Sequence, residues 1–219
     1  MKTTKKLLMF LAAFLLMAFA VAQADLIVPI TSPSPTDFTV NWSQLGASFT
    51  IIPHGFVATA SNSDTVFGMF GVSGQGGQVR QQGNGWIGDF NTGDYLVWTN
   101  NHGPLTFLLD KGYADAGAYI QPDYYGAFTA NLMVYNGTTL LGTITASGTS
   151  TTTPGTALFL GALDLTGPNI TKVVFSITGS RNFAIDTLYL SAIPEPGTLV
   201  LWGTGLIGVA SLARRRRSN

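Results

Sequence analysis

A short glycine-rich turn near the middle of the chain carries the side chains best suited to bind a hard cation. Asp89, Asn91 and Asp94 lie within six consecutive residues, and short carboxylate and amide side chains, with backbone carbonyls, supply the oxygen ligands that Ca²⁺ prefers. The spacing matches no EF-hand, because the glycine and the terminal glutamate of that loop are missing. Asp and Asn are also good turn formers. A structural calcium site is therefore one hypothesis, and an ordinary turn is the alternative.

Asp186 is the second acid of interest. In residues 183–190 the two-residue period of a strand places Ala184, Asp186 and Leu188 on one face. Both faces of this segment are half apolar, so we predict that the Asp186 carboxylate points partly inward. A buried carboxylate needs a hydrogen-bond partner, a cation or a proton, because burying it alone is too costly. We predict a structural role, with a calcium ligand as the alternative.

Aromatic side chains offer a different chemistry, the stacking of flat rings on sugars. Tyr124 and Tyr125 follow each other in a turn, where their rings are free to present an apolar face and a polar hydroxyl. They are the predicted sugar-binding residues. The tryptophans of the strand segments are more typical of a core, and the relevant ones are Trp42, Trp86 and Trp98.

Catalytic groups are scarce. His54 and His102 are the only histidines, and Glu195 is the only glutamate. The chain has no His-Glu-x-x-His, no Gly-x-Ser-x-Gly and no phosphate-binding glycine pattern. Triad members and glycosidase acid pairs meet only in the fold, so spacing cannot locate them. We predict that the protein is not an enzyme, and an undetected hydrolase remains the weaker alternative.

The elements that must position these residues are β-strands. Short runs rich in Val, Ile, Thr, Phe and Tyr alternate with clusters of Gly, Asn, Ser and Pro, without helical periodicity between the two ends of the chain. Many short strands joined by turns predict a single jelly-roll-like β-sandwich rather than an α/β scaffold. The predicted strands are 38–42, 49–58, 66–72, 86–90, 95–99, 105–110, 118–121, 128–135, 139–146, 157–165, 172–178 and 183–191.

Three segments between these strands have distinctive turn or loop composition. Asn136-Gly137 is typical of a type I′ hairpin, which needs positive φ at both central residues. Residues 73–85 are rich in Gly and Gln, and residues 147–155 are rich in Ser and Thr. Both are predicted to be flexible surface loops. For the second loop, glycosylation or matrix adhesion is the alternative.

The first 24 residues have the pattern of a secretory signal peptide. Lys2, Lys5 and Lys6 precede an apolar run at 7–21, and Ala22 and Ala24 form an A-x-A site with the glutamine between them. We expect signal peptidase to cleave after Ala24. Residues 25–192 would then be the β domain, and a retained N-terminal anchor is the alternative.

Residues 193–219 have three parts in a fixed order. Pro194, Glu195 and Pro196 precede an uncharged segment, residues 198–213, which is followed by a basic cluster of Arg214, Arg215, Arg216 and Arg217. A helix over these sixteen residues is about 24 Å long, a little short for a hydrocarbon core of about 30 Å. Snorkelling arginines accommodate the difference. We predict a transmembrane helix over 198–213 whose C-terminal end is cytoplasmic, and a permanent anchor is the alternative.

Together these three parts resemble the PEP-CTERM sorting signal. The resemblance implies a Gram-negative protein that is exported, held briefly in the inner membrane, processed by an exosortase and released to the cell surface or extracellular matrix. Residues 86–94, 117–121 and 183–188 also resemble segments of PEP-CTERM surface proteins with predicted β-sandwiches. A tail of this type is also labelled an ice-binding protein C-terminal domain, a label that does not show ice binding. Such bacteria typically make exopolysaccharide, which favours a lectin-like carbohydrate-binding module as the alternative to a structural domain.

The charge and the cysteine content of the chain limit the partners and the chemistry that we expect for it. The whole chain has a formal net charge of zero, but residues 25–192 hold ten aspartates against four basic residues, a net charge of −6. An acidic exported domain does not attract nucleic acid. There is no cysteine, so neither disulfides nor thiolate chemistry are available. We expect no cofactor other than the hypothesised calcium.

Overall fold

The structure is a computed structural model, and it describes residues 26–192. The predicted signal peptide and the predicted tail lie outside the described residues. Within them the chain forms strands, as the sequence predicted, and one short 3₁₀ helix that it did not predict. In chain order the elements are β1 (Ile27–Ile30), β2 (Phe38–Val40), the 3₁₀ helix (Trp42–Leu45), β3 (Ile51–Ile52), β4 (Phe56–Thr59), β5 (Thr65–Phe70), β6 (Gly77–Gln82), β7 (Gly85–Trp86), β8 (Tyr95–Trp98), β9 (Leu105–Tyr113), β10 (Asp115–Pro122), β11 (Gly126–Asn136), β12 (Thr139–Ser150), β13 (Leu158–Asp164), β14 (Ile170–Ile177) and β15 (Phe183–Ser191).

The last eight strands form a jelly roll. They pair as nested antiparallel partners, β11 with β12, β10 with β13, β9 with β14 and β8 with β15. The chain thus behaves as one long hairpin, folded between β11 and β12 and wound into two layers. Sheet A contains β8-β15-β10-β13 and sheet B contains β9-β14-β11-β12. Eight strands wound in this way are two Greek keys, which confirms the predicted jelly-roll-like sandwich.

The earlier strands widen both layers. Sheet A continues from β8 to β6 and β3, and from β13 to β1, while sheet B continues from β9 to β5 and β4. The short strands β2 and β7 pair with β15 and β6. The described strands enclose a main core of their own within residues 26–192. We therefore expect this segment to fold independently.

The hairpin at the centre of the roll is confirmed, but its turn differs from the prediction. Asn136 pairs with Thr139, so the two central residues are Gly137 and Thr138. Of these turn residues only Gly137 has a positive φ, 57°. A type I′ turn needs positive φ at both central positions, so the predicted type is wrong. The Gly137 amide donates to Thr171 Oγ1 at 2.7 Å, which ties the turn to β14.

The core fills the space between the sheets. Along β11 the inward positions Phe128, Ala130, Leu132 and Val134 alternate with half-buried or exposed ones, as expected for a strand with one buried face. At the centre Trp42, completely buried, stacks on Phe107 with 5.3 Å between ring centroids and 13° between planes. Trp42 lies in the 3₁₀ helix and not in a strand.

The two predicted loops contain more strand than their composition suggested. Within residues 73–85, β6 lies between β8 and β3, so the prediction of a flexible loop there is wrong. The only large apolar residue of β6 is Val79, so the alternation of apolar and polar residues that identifies a strand is weak there. Gly77 belongs there because a Cβ would meet the Trp98 carbonyl oxygen at 2.4 Å. In the second loop, residues 147–150 extend β12.

Matched phenylalanine truncations test which faces of sheet B are buried. Phe107→Ala removes a fully buried ring and should lower the free energy of unfolding by about 3–5 kcal/mol. Phe67→Ala removes a ring that is 43% exposed on the opposite face, and it should cost about 1 kcal/mol or less. Urea denaturation of the 25–192 domain measures both. Equal costs would contradict the assignment of the inner and outer faces.

Candidate functional site

A second, smaller apolar cluster covers the outer face of sheet A. It is formed by Trp86, Phe90, Leu96 and Ala184, with Trp98, Tyr119 and Ala157 packed against it. Leu96 points away from the main core because Val97, its neighbour on β8, points into it. The cluster therefore holds the segment between β7 and β8 against the sheet, and this segment contains the predicted calcium turn, residues 89–94.

Gln121 is the polar residue that fixes this segment. It is 1% exposed, and its Oε1 accepts from Trp86 Nε1 at 3.0 Å and from the Asp89 amide at 2.9 Å. Its Nε2 donates to Ser150 Oγ at 2.6 Å and to the Thr151 carbonyl at 3.2 Å. One buried amide thus joins two loops to β10. This role of Gln121 was not predicted, because a glutamine in a strand carries no local sequence signal.

Asp89 completes the connection between the two loops. Its carboxylate accepts hydrogen bonds from the Thr151 amide, at 2.9 Å to Oδ2, and from the Thr151 hydroxyl. The Asp89 side chain is 1% exposed, so these bonds satisfy a buried charge. The Ser/Thr-rich segment after Ser150 is therefore attached to the predicted calcium turn.

Asp186 lies in a β-bulge. Ala118 pairs with Leu188 and Ile120 pairs with Ile185, so Asp186 and Thr187 together oppose the single residue between the two β10 positions. The bulge frees the Asp186 carbonyl from the ladder, and Trp42 Nε1 donates to it at 2.8 Å. The Asp186 side chain is 4% exposed, and its Oδ1 accepts from the Thr187 amide and hydroxyl.

The carboxyl group of Asp186 also shares a hydrogen bond with that of Asp94. Burial above all, and then the charge and hydrogen bond of Asp94, raise the pKa of Asp186 to about 7, against the opposing Thr187 amide. Burial and the nearby Asp186 charge also raise the pKa of Tyr189 to about 12. A cavity of about 60 Å³ opens beside the pair, lined by Asp89, Phe90, Asn91, Tyr119, Gly155, Ala157 and Asp186.

The four predicted calcium ligands lie near one another, but their side chains do not share a common hydrogen-bond partner. Asp89 binds Thr151, Asp94 accepts from the Asn91 amide at 3.1 Å, and Asp94 and Asp186 contact each other. Within residues 26–192 no three His, Cys, Asp or Glu side chains are grouped so that they could hold a metal ion. The proximity of Asp94 contributes to the raised pKa of Asp186. Calcium binding by Asp89, Asn91, Asp94 and Asp186 stays a prediction.

The predicted sugar-binding tyrosines border a second cavity, of about 120 Å³, at the turn from β10 to β11. Tyr124 and Tyr125 are 41% and 58% exposed, and Ile87 opposite them is 70% exposed. The Tyr125 hydroxyl donates to the Ile87 carbonyl at 2.9 Å, which fixes that ring. The remaining lining residues are Trp86, Gln121, Pro122 and Asp123.

The three tryptophans considered for sugar contact behave differently from these tyrosines. Trp42 is fully buried in the core, and Trp86 is 6% exposed and forms part of the cavity wall. Trp98 is half-buried, and the Arg80 guanidinium lies over its ring at 4.4 Å. Of the aromatic residues considered, Tyr124 and Tyr125 alone present large exposed faces at a cavity.

Comparison with known proteins concerns the far end of the chain. A family model described as the PEP-CTERM protein-sorting motif matches residues 192–217. The chain carries a PEP-CTERM sorting motif. The PEP-CTERM motif implies a secreted, membrane-anchored precursor that an exosortase processes. No curated protein matches the chain.

Most of the PEP-CTERM match lies outside the described residues, as do several predicted processing sites. This holds for Pro194, Glu195 and Pro196, for the predicted 198–213 span and for Arg214–Arg217, as well as for Ala22 and Ala24. In the described part, residues 26–192, no helix is both long and apolar enough to cross a bilayer.

Three solved structures illustrate the weak structural likeness to other proteins. CsCBM6-3 from Clostridium stercorarium, in complex with cellobiose, is 13% identical over 78% of this chain and 95% of that chain, with a TM-score of 0.25. A family 6 carbohydrate-binding module is 12% identical over 78% and 95%, with a TM-score of 0.22. The K2 cleaved adhesin domain of Lys-gingipain is 10% identical over 75% and 99%, with a TM-score of 0.15. TM-scores this low say nothing about what this chain binds.

The raised pKa of Asp186 predicts an unusual pH dependence of stability. The folded state binds the proton of the Asp186 carboxyl group more tightly than the unfolded state, with a pKa of about 7 against 3.8. The stabilisation of the fold by this proton is therefore fully present below pH 3.8. It is then lost as the pH rises to about 7, at up to about 1.4 kcal/mol per pH unit. Asp186→Asn should remove this decline, as measured by urea denaturation between these pH values.

Asp110→Asn, at an exposed aspartate, is the matched control and should keep the wild-type slope. Parallel curves for the wild type and Asp186→Asn would show that Asp186 does not hold a proton in the folded protein.

Proposed function

We propose that this chain is the precursor of a bacterial surface or extracellular-matrix protein whose mature part is a non-catalytic β-sandwich. The PEP-CTERM motif at 192–217 supports this proposal. Signal peptidase cleaves after Ala24, the 198–213 helix holds the precursor in the inner membrane with a cytoplasmic C-terminus, and an exosortase removes the tail. The acidic domain, residues 25–192, is then delivered outside the cell.

We further propose that the domain binds carbohydrate at the cavity beside Tyr124 and Tyr125. The observation that supports this function is the exposure of both rings at that cavity. Exposed rings that are held in place lose little side-chain entropy when a ligand covers them. The hydrogen bond from Tyr125 to the Ile87 carbonyl provides this fixation. Polar groups beside the rings orient a ligand in such sites. Asp123 accepts a hydrogen bond from Asn182 Nδ2 at 2.7 Å, and its carboxylate is the proposed acceptor for sugar hydroxyls.

The acid pair supports the non-catalytic part of the proposal. Glycosidases separate their two carboxyl groups by about 5–9.5 Å, which leaves room for the sugar or for a water. Asp94 and Asp186 instead contact each other directly. This pair therefore serves the structure of the bulge.

The sorting proposal predicts a defined processing defect. Replacing Pro194, Glu195 and Pro196 together by alanine should leave the precursor in the membrane fraction, because the exosortase loses its recognition motif. Immunoblots of membrane and culture fractions measure this effect. Lys111→Ala, within the domain, is the control and should be released normally. Release of the triple variant at the wild-type level would refute exosortase processing at this motif.

The binding proposal predicts that the tyrosines dominate affinity. On a glycan array, the 25–192 domain should bind polysaccharide fragments, and Tyr124→Ala/Tyr125→Ala should weaken that binding by about tenfold or more, as for central aromatic contacts. Tyr135→Ala, on β11 of the other sheet, should bind normally. Either an array without signal for the wild type or equal binding by the double variant would overturn the proposal.

A further inference from the structure

The outermost strand of sheet B, β12, has a free edge. Its whole length pairs with β11, from Thr139 opposite Asn136 to Ser150 opposite Gly126. Among residues 26–192, no strand pairs with its other side. In the described part of the chain, none of the backbone hydrogen bonds outside the sheet ladders involves residues 139–150. Half of the amides and carbonyls of this strand therefore face outward.

The other free edges are protected, whereas that of β12 is not. Natural sheets shield their edges by keeping edge strands short, by placing proline or charged residues in them, or by covering them. The edge strand β3 has two residues, β4 has four, and β1 has four including Pro29. In contrast, β12 has twelve residues without a charge or a proline. Its pairing is irregular only opposite Val134 and Tyr135, near one end.

We propose that this edge is an interface with a second copy of the chain, in which the two β12 strands pair antiparallel about a two-fold axis. The pairing joins two six-stranded sheets into one of twelve strands and forms roughly a dozen backbone hydrogen bonds. A two-fold axis is the common symmetry of homodimers and needs a self-complementary surface. This inference is independent of the proposed sugar site.

Charge and side-chain type favour a second copy as the occupant. The domain has a net charge of −6, which makes most of its surface repel another copy, but β12 brings no charge to the contact. Its exposed side chains include Thr143, Thr145, Ser147 and Thr149, and hydroxyl pairs across antiparallel strands are stabilising. On the inner face Leu141, Ile144 and Ala146 are only partly buried at the open end of the core, and a second copy covers them.

Charge placed on the edge tests the proposal. Sedimentation velocity over a wide concentration range should show that the 25–192 domain dimerises. Thr145→Lys should weaken dimerisation by at least about tenfold, because lysines of the two copies then lie opposite or diagonal to each other. Ser176→Lys adds the same charge in β14, an interior strand of the same sheet, and should leave the dimer intact. Circular dichroism melting checks that both variants fold.

A cross-link provides a second readout, because the chain has no cysteine of its own. If two β12 strands pair antiparallel near their middle, residue 143 or 145 of one copy lies opposite residue 143 or 145 of the other. In the double variant Thr143→Cys/Thr145→Cys, mild oxidation should therefore give a covalent dimer. Ser176→Cys should stay monomeric on a denaturing gel. A wild-type domain that is monomeric at all concentrations would overturn the proposal. Loss of the dimer in both lysine variants would also overturn it and would place the contact on the sheet face.

Discussion

Trp42 connects the core of the sandwich to the bulge in β15, and both depend on its side chain. Its ring stacks on Phe107 at the centre of the sandwich, and its indole N–H donates to the Asp186 carbonyl in the bulge of β15. Without that donor the bulge would leave a buried carbonyl unpaired, at a cost of about 1–3 kcal/mol. The same side chain therefore supports the packing of the core and the local geometry of the outer face. In a domain without disulfides, such packing must provide the stability.

The outer face of sheet A is organised by polar residues that the bulge and the strands hold in fixed positions. Gln121 and Asp89 connect the β7–β8 segment to the segment after β12. Trp86, fixed by Gln121, forms a wall of the cavity that Tyr124 and Tyr125 border. Buried hydrogen bonds therefore hold the proposed binding surface in place, and it is not part of a flexible loop. This rigidity suits a binding module, because little order has to be created when a ligand arrives.

The sequence predicted the features that local chemistry determines. Alternating patterns identified most strands, and two consecutive tyrosines in a turn predicted exposed rings, which the structure shows beside a cavity. The strand β6 escaped notice because Val79 is its only large apolar residue, and its place in the sheet depends on close backbone approach at Gly77. The two-residue period predicted that Ala184, Asp186 and Leu188 share one face, which is wrong. Because the bulge at Asp186 shifts the alternation, Ala184 lies in the outer cluster and Leu188 in the main core. The contact of Asp94 with Asp186 and the role of Gln121 join segments far apart in sequence, which no local pattern reveals.

We propose above that an exported PEP-CTERM protein presents a rigid carbohydrate-binding surface around Tyr124 and Tyr125. The decisive experiment is amide chemical-shift mapping of the 25–192 domain, titrated with oligosaccharides from bacterial exopolysaccharide. We expect saturable shifts at Ile87, Tyr124 and Tyr125, with sheet B unchanged. Absence of any shift, or shifts confined to the outer face of sheet B around Phe67, would contradict it.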